Sequence, residues 1–466
     1  MLFTQPIFLG FFAVVFTVYW LLPENRQRKV LLLVASYVFY GAWDWRFLFL
    51  IAVSTMIDYV VGWVLRNDAP RGGRKLWLIT SLCANLGILG FFKYYNFFVT
   101  SGVDVLRLFG YDGPDLTMRI VLPVGISFFT FQSMSYTIDV YRKQLKPIRS
   151  AIDFALFVSF FPQLVAGPIV RAADFLPQLD SKRRFADVRF KGPIALFLIG
   201  FFKKVCLADN VAACVDQVYA APSSFSTGSI WLANMLYSIQ LYCDFSGYTD
   251  MAIATAALLG YELCINFDFP YLKRNILELW SHWHMSFSTW IRDYLFIPLG
   301  GSRGTALFTA RNVMITMLLA GLWHGAAWHF VLWGGANGLA MIMYRLYRRN
   351  VPETHPVRRF TMAFAVPITF FWWTIQLIMF RATDLHNMFE VMRGFFIPQG
   401  GEPSPLNLWA FFVGMAILHW VSSKVHFEKQ AVRLPAWACS LVFGAAAFFL
   451  ILLVQFRYKP FVYFQF

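Results

Sequence analysis

Residues 312–344 read NVMITMLLAGLWHGAAWHFVLWGGANGLAMIMY, 33 positions without one Asp, Glu, Lys or Arg. A membrane-crossing helix needs about 20 apolar residues. This run is too long for one simple span and too punctuated by polar groups for plain lipid contact. Gly321, Gly325, Gly334, Gly335 and Gly338 interrupt it, and glycines permit close helix packing or a broken helix around a cavity. At its centre stands GLWHGAAWH, which contains His324. An ionisable side chain is costly in such surroundings, so His324 is a functional candidate. The alternative is a neutral imidazole hydrogen-bonded to a neighbouring helix.

The rest of the chain has the same character. Of its 466 residues 58% are hydrophobic and only 14% charged, against about 25% charged in an ordinary soluble domain. Mean hydropathy is +0.56. No soluble core could absorb 52 Phe, 20 Tyr and 17 Trp with so little charge left for a surface. A disordered chain, a secreted disulfide scaffold and a cytosolic enzyme are excluded, which leaves an all-α polytopic membrane protein. The net charge of +15 does not call for nucleic acid. Basic residues cluster in short loops between apolar runs, as the positive-inside rule requires. The six cysteines lie in or beside apolar stretches without a CxxC pair, so neither a zinc nor a disulfide framework is expected. The first basic residue, Arg26, follows the first apolar run, so no cleavable signal peptide is expected.

Apolar segments fall at 7–22, 30–43, 47–65, 76–99, 119–140, 152–170, 193–208, 229–243, 250–265, 312–344, 360–380, 407–423 and 436–456. They predict about 11–13 membrane helices, the shorter ones tilted, re-entrant or paired as half-helices. Loops 23–29, 66–75, 141–149 and 345–359 carry the basic excess and read as cytoplasmic. Loop 100–118 sets Asp104, Asp112 and Asp115 against Arg107 alone and reads as outside, as does 381–406. Counting crossings puts both termini outside. The basic connection 171–192 is either a solvated cytoplasmic loop or a surface for an anionic donor.

A second histidine lies in the amphipathic segment Asn275–Asp293. On one helix Leu277, Trp280, His284, Phe287 and Ile291 share a face, while Glu278, His282 and Thr289 fall on another. His284 then points to the apolar side, as a core residue or as part of a site. His282, His284, His324 and His329 make a tempting metal quartet, but spacings of two and five do not converge as those of HExxH do, so no metal is expected. Asp244, Ser246 and Asp250 sit between two apolar runs, where Gly247 permits a break; they would line a polar cavity or orient neighbours.

Several motifs together carry a resemblance. They are LLVASYVFY at 32–40, FKYYNF at 92–97, LPVGISF at 122–128, AGPIVR at 166–171, DFSGYTDMA at 244–252, WHMSFSTWIRDY at 283–294, IPLGGSR at 297–303, GLWHGA at 321–326 and the ending PFVYFQF. The sequence resembles the membrane-bound O-acyltransferase (MBOAT) superfamily, and in particular its bacterial branch that serves alginate O-acetylation. The resemblance implies a single membrane domain over 1–466, with tilted helices in a ring around a thin centre and its catalytic core at 228–345. It implies His324 as the catalytic histidine, His284 as the second functional position, and Trp323, Asp244, Ser246, Arg292 and Asp293 as tunnel or substrate-lining residues. The expected donor is a cytoplasmic acetyl thioester, acetyl-CoA, with no bound cofactor. Acetyl would leave on the outer side of a bacterial inner membrane for a periplasmic serine-esterase-like partner and a polysaccharide such as alginate or cellulose. Ser281 and His282 stand where the family commonly has two arginines.

Chemically, a neutral His324 can take the proton of an attacking hydroxyl or thiol, or be acylated transiently itself. The competing readings are a glycan or lipid-carrier transporter and an acyltransferase for a lipid or teichoic acid. The outside loops 100–118 and 381–406 are under 30 residues, short of the roughly 50 of a small folded domain. A partner must therefore hold the polymer, and the aromatic tail Phe461–Phe466 is a candidate contact, or else a lipid-boundary anchor.

Overall fold

The computed structural model describes residues 1–66, 71–111, 113–114 and 116–453. Asp68, Asp112, Asp115 and the tail Phe461–Phe466 lie outside the described residues. Among those described, every regular element is helical, with one isolated bridge between Phe225 and Glu402. Four helical stretches among the described residues are long and apolar enough to cross a membrane: Asn25–Val64, Gly73–Leu108, Ala306–His324 and Leu406–Val425. Pro356–Ala363 and Ala365–Arg381, bent by 71°, make a fifth if they count as one span. Other apolar stretches are broken. Residues 152–170 hold the helices Ala151–Ser159 and Phe161–Leu164, the second opening on Pro162.

The chain forms two compact units. The first comprises Met1–Phe190 and Ala252–Cys264. Within it, α1 (Leu48–Val64), α2 (Arg71–Leu89) and α3 (Ile126–Tyr141) pack around a buried carboxylate. Asp58 accepts from Ser81 Oγ, from Thr137 Oγ1 at 3.1 Å and from Asn85 Nδ2 at 3.1 and 2.9 Å. Asn85 Oδ1 in turn accepts from Ser54 at 2.8 Å. Two donors from α2 and one from α3 thus meet the carboxylate of α1, which fixes three helices where apolar packing alone is non-directional. The segment Ala252–Cys264 joins this unit through Tyr261, packed on Phe160 and Phe175, and through Gln178, whose amide pairs both ways with the Glu262 backbone at 2.9 Å.

The second unit comprises Lys191–Met251 and Ile265–Phe466. The long helix α4 (Thr227–Leu258), which belongs to this unit as far as Met251, runs straight through Asp244, Ser246 and Gly247. This corrects the expected break between 229–243 and 250–265. Gly247 instead serves close approach: a Cβ there would meet the Gly200 carbonyl oxygen at 2.6 Å. Beside it a π-helical turn, Phe202–Ala208, brings two successive lysines against α4. Lys204 pairs with Asp244 at 2.5 Å and with Asp209 at 2.8 Å, and Lys203 with Asp250 at 2.7 Å. The carboxylates of the expected polar break are therefore paired with lysines along one continuous helix.

Next come α5 (Ile276–His282), α6 (Met285–Ile291), α7 (Ala306–His324), α8 (Trp328–Asn350) and α9 (Ala365–Arg381). The single amphipathic helix expected over Asn275–Asp293 is two helices, broken at Trp283 and His284. The 33-residue charge-free run is the α7–α8 hairpin. Side chains on Gly321 or Gly334 would collide with the facing backbone at Phe330 and Met317. The first half of the resulting close contact is Gly321, three residues before His324.

Asn85→Ala removes the amide that holds Asp58 and leaves a buried carboxylate short of donors, which costs about 1–3 kcal/mol or more. The thermal unfolding midpoint of the detergent-purified variant should fall by several degrees. An unchanged midpoint would mean that the three helices do not depend on this network.

Candidate active site

His324 is the last residue of α7, immediately before the extended Gly325. It is 3% exposed. Its ring meets Trp323 at 5.0 Å, Trp333 of α8 at 5.0 Å, Phe380 of α9 at 5.2 Å and Phe287 of α6 at 5.5 Å, all edge-on or nearly so.

His284 stands in the break between α5 and α6 with φ +42° and ψ +55°. A non-glycine residue there is strained, and such strain gathers at functional sites. Asn266 holds the break in place. Its backbone oxygen accepts from Met285 N at 2.9 Å, and its Oδ1 accepts from Ser286 N at 3.1 Å and Ser286 Oγ at 2.9 Å. The same Oδ1 lies 3.2 Å from His284 Nδ1. The Ser286 backbone N–H can only donate, so the shared atom is the amide oxygen and His284 Nδ1 carries the proton. The basic lone pair is then on Nε2.

The two imidazoles share neighbours. Phe287 stacks on His284 at 5.1 Å and on Trp323 at 4.3 Å while meeting His324 at 5.5 Å. His284 lies 6.1 Å from Trp323 and 4.7 Å from Phe245, the residue after Asp244. Three expected residues, His284, Trp323 and His324, thus stand in one buried aromatic box. Asp244 and Ser246 are 1% exposed on α4 on either side of Phe245, and Asp244 is held by Lys204. Arg292 and Asp293 pair with each other at 2.7 Å where α6 ends, with the arginine 58% exposed.

The other histidines have separate settings. His282 Nδ1 lies 2.8 Å from Glu278 O, and its Nε2 3.4 Å from Asp268, on a half-exposed face as its position predicts. His329 Nδ1 lies 2.8 Å from Met379 O. His419 packs against Tyr242 at 5.0 Å, in agreement with a packing role. His386 is exposed beside Glu390, and His355 caps the helix at Val357.

A cavity of about 450 Å³ lies in the same unit, lined mainly by apolar side chains with Lys203, His419, Ser422 and Glu428 among them. None of the seven expected site residues lines it. Its wall residues Tyr242 and Tyr271 lie 6.4 and 5.9 Å from Trp283, the neighbour of His284. Sequence reasoning missed Asn266, Phe245, Phe380 and Trp333. Each comes from another element, and a continuous helix through His284 hides the need for a brace at the break.

Residues 126–383 match the model of the membrane-bound O-acyltransferase family, MBOAT. The chain belongs to that family. It is 40% identical over 425 residues to the probable alginate O-acetylase AlgI of Pseudomonas aeruginosa, covering 90% of this chain and 80% of that protein. It is 36% identical to the peptidoglycan O-acetyltransferase of Helicobacter pylori, over 84% and 79% of the two chains. A more distant relative, at 27% identity over 54% of this chain and 67% of its own, is the teichoic acid D-alanyltransferase of Streptococcus thermophilus. As an MBOAT protein the chain is a membrane enzyme that transfers acyl groups to oxygen. Both box histidines fall inside the matched region.

His284 lies outside the candidate spans, and burial among apolar rings pushes its imidazole from 6.5 down to about 3. Between those values the unfolded chain binds one more proton than the folded chain. The contribution of this group is therefore whole above pH about 6.5 and is lost as pH falls toward about 3, by at most about 1.4 kcal/mol per unit. His284→Asn, which tolerates the left-handed backbone, should flatten the fall of the unfolding midpoint between pH about 6.5 and 4.5. Equal slopes for variant and wild type would count against a buried neutral ring.

Proposed function

We propose that this enzyme is an O-acetyltransferase for a cell-surface polysaccharide and that its chemistry runs at His324 and His284. The observation that carries the reading is the pair of buried imidazoles joined by Phe287 and Trp323, in a chain 40% identical to a probable alginate O-acetylase. The donor is a cytoplasmic acetyl thioester of the acetyl-CoA class. The acceptor, a hydroxyl reached from the outer side, is the polysaccharide itself or a periplasmic serine-esterase-like partner that passes the acetyl on.

The step balances with one base. The acceptor hydroxyl attacks the thioester carbonyl while His324 takes its proton. The tetrahedral oxyanion collapses, the C–S bond breaks, and the leaving thiolate regains the proton from the imidazolium. The products are an acetyl ester and a free thiol. The aromatic box excludes water, the competing acceptor, from the thioester. His284, with its proton set on Nδ1 by Asn266, is the second neutral imidazole of the box, stacked on the Phe287 ring that meets His324, while the single hydroxyl proton goes to His324. The region 228–345 supplies both histidines and forms the catalytic core of this reading; Trp323 walls the box, and Asp244, Ser246, Arg292 and Asp293 line the approach. In a bacterial inner membrane the loop charges orient both termini to the periplasm, and the short outer loops call for a partner that holds the polymer.

His324→Ala should keep its expression level and melting behaviour and lose at least about 100-fold of acetyl transfer, the lower end of a general-base contribution. Labelled acetyl-CoA given to membranes, followed by the label in extracted polysaccharide, measures this. Transfer at the wild-type rate by a normally inserted variant would overturn the assignment. Label recovered in lipid or teichoic acid, and not in polysaccharide, would replace the acceptor.

A further inference from the structure

The wall of the His324 box contains a chain of amide and indole groups that the reading above does not use. Trp280 Nε1–H of α5 donates to Asn337 Oδ1 of α8 at 3.2 Å. An indole N–H only donates, so this contact fixes which end of the Asn337 amide is oxygen. Asn337 Nδ2 then donates to Gln376 Oε1 of α9 at 2.9 Å, and to the Trp333 carbonyl at 2.9 Å. That contact in turn fixes the Gln376 amide, because turning it over would set donor against donor. Gln376 is left presenting Nε2. It is 0% exposed, and Nε2 has no acceptor among the described residues. Trp333, 2% exposed, is in the same condition at Nε1.

Two oriented N–H donors are thus buried without an acceptor among the described residues, one on a ring that meets His324 and the other on the helix that brings Phe380 to it. Trp333 meets the His324 imidazole edge-on at 5.0 Å. Gln376 lies one helical turn before Phe380, which packs on both rings, 5.2 Å from His324 and 5.1 Å from Trp333. Native interiors rarely leave buried donors unmade, and exceptions at a site point to a ligand atom that completes them. The missing group must supply an acceptor oxygen. A carbonyl oxygen that becomes an oxyanion has that character, and preorganised donors in a dry site are what stabilises it.

We propose that Trp333 Nε1–H and Gln376 Nε2–H donate to the carbonyl oxygen of the acyl donor, and hold it as the oxyanion when the hydroxyl attacks. Trp280 and Asn337 are positioning residues that orient Gln376. The proposal rests on the reading that a thioester reacts beside His324. The relay explains why three helices, α5, α8 and α9, are tied by side-chain hydrogen bonds at this level. The ties aim donors at the reacting group.

Trp333→Phe keeps a ring and removes the donor, and Gln376→Met keeps the length and removes the amide. Loss of one oxyanion donor should lower kcat about 100- to 1,000-fold with KM changed less than about threefold. Two unreactive donor analogues separate this role from simple packing. Acetonyl-CoA carries the carbonyl, and S-ethyl-CoA lacks it. Both variants should bind S-ethyl-CoA as wild type does and acetonyl-CoA at least about tenfold more weakly. The infrared carbonyl stretch of bound acetonyl-CoA should move back toward its solution frequency in each variant. Near-normal kcat in both variants, or equal weakening of the two analogues, would overturn the proposal. A wild-type protein that neither binds the analogues nor turns over acetyl-CoA, or an active His324→Ala variant, would instead overturn the underlying reading.

Discussion

Where α7 turns back into α8, Gly321 and Gly334 let two backbones touch with no side chain between them. In an apolar medium water drives no hydrophobic association between helices, so close van der Waals contact at small residues has to serve. That contact fixes where α7 ends, and His324 is its last residue. Trp333 follows on α8 and reaches the same imidazole from the facing helix. A bulkier residue at either glycine would separate the backbones, and the rings about His324 would lose their common geometry. The aromatic box, the relay through Asn337 and the proposed chemistry all depend on this one close approach.

Polar groups organise the remainder, for the same reason. Hydrophobic packing gives little direction where lipid competes equally well, while a hydrogen bond in a low-dielectric interior fixes both distance and angle. In the first unit Asp58 of one helix gathers donors from two others. In the second, Lys204 lies between Asp209 and Asp244, and Asn266 braces the bend at His284. Each arrangement joins elements distant in the chain and leaves the buried charge or amide with partners.

Much of this was legible in the sequence. The absence of charge over 312–344, with its glycines, pointed to close helix packing or a broken helix about His324, and the structure has a close-packed hairpin there. The family motifs pointed to His284 and His324 together, and the structure brings them into one box. Two local readings failed, both from judging a segment by its own periodicity. Gly247 reads as a helix breaker, yet α4 continues through it because Gly200 packs there and lysines from another helix partner its carboxylates. The 275–293 segment has the period of one helix, yet it bends at His284 because Asn266, 18 positions earlier, supplies the hydrogen bonds that a broken helix forfeits. No local pattern announces a brace that arrives from elsewhere in the chain. The donors at Trp333 and Gln376 were hidden for the same reason, since orientation belongs to the relay and not to either residue.

The π-helical turn at Phe202–Ala208 sets a limit on how this chain can vary. Such a turn is in effect an α-helix with one residue too many, and the surplus lets Lys203 and Lys204 face Asp250 and Asp244. Residues can be exchanged along that helix with the register intact. Deleting any one of them would relax the turn to α and rotate all that precedes it by about 100° against all that follows. Gly200 would then leave Gly247, and the lysines would leave their carboxylates. Inheritance of this segment should therefore be quantised: substitutions are open away from Gly200, Lys203 and Lys204, while its length stays fixed.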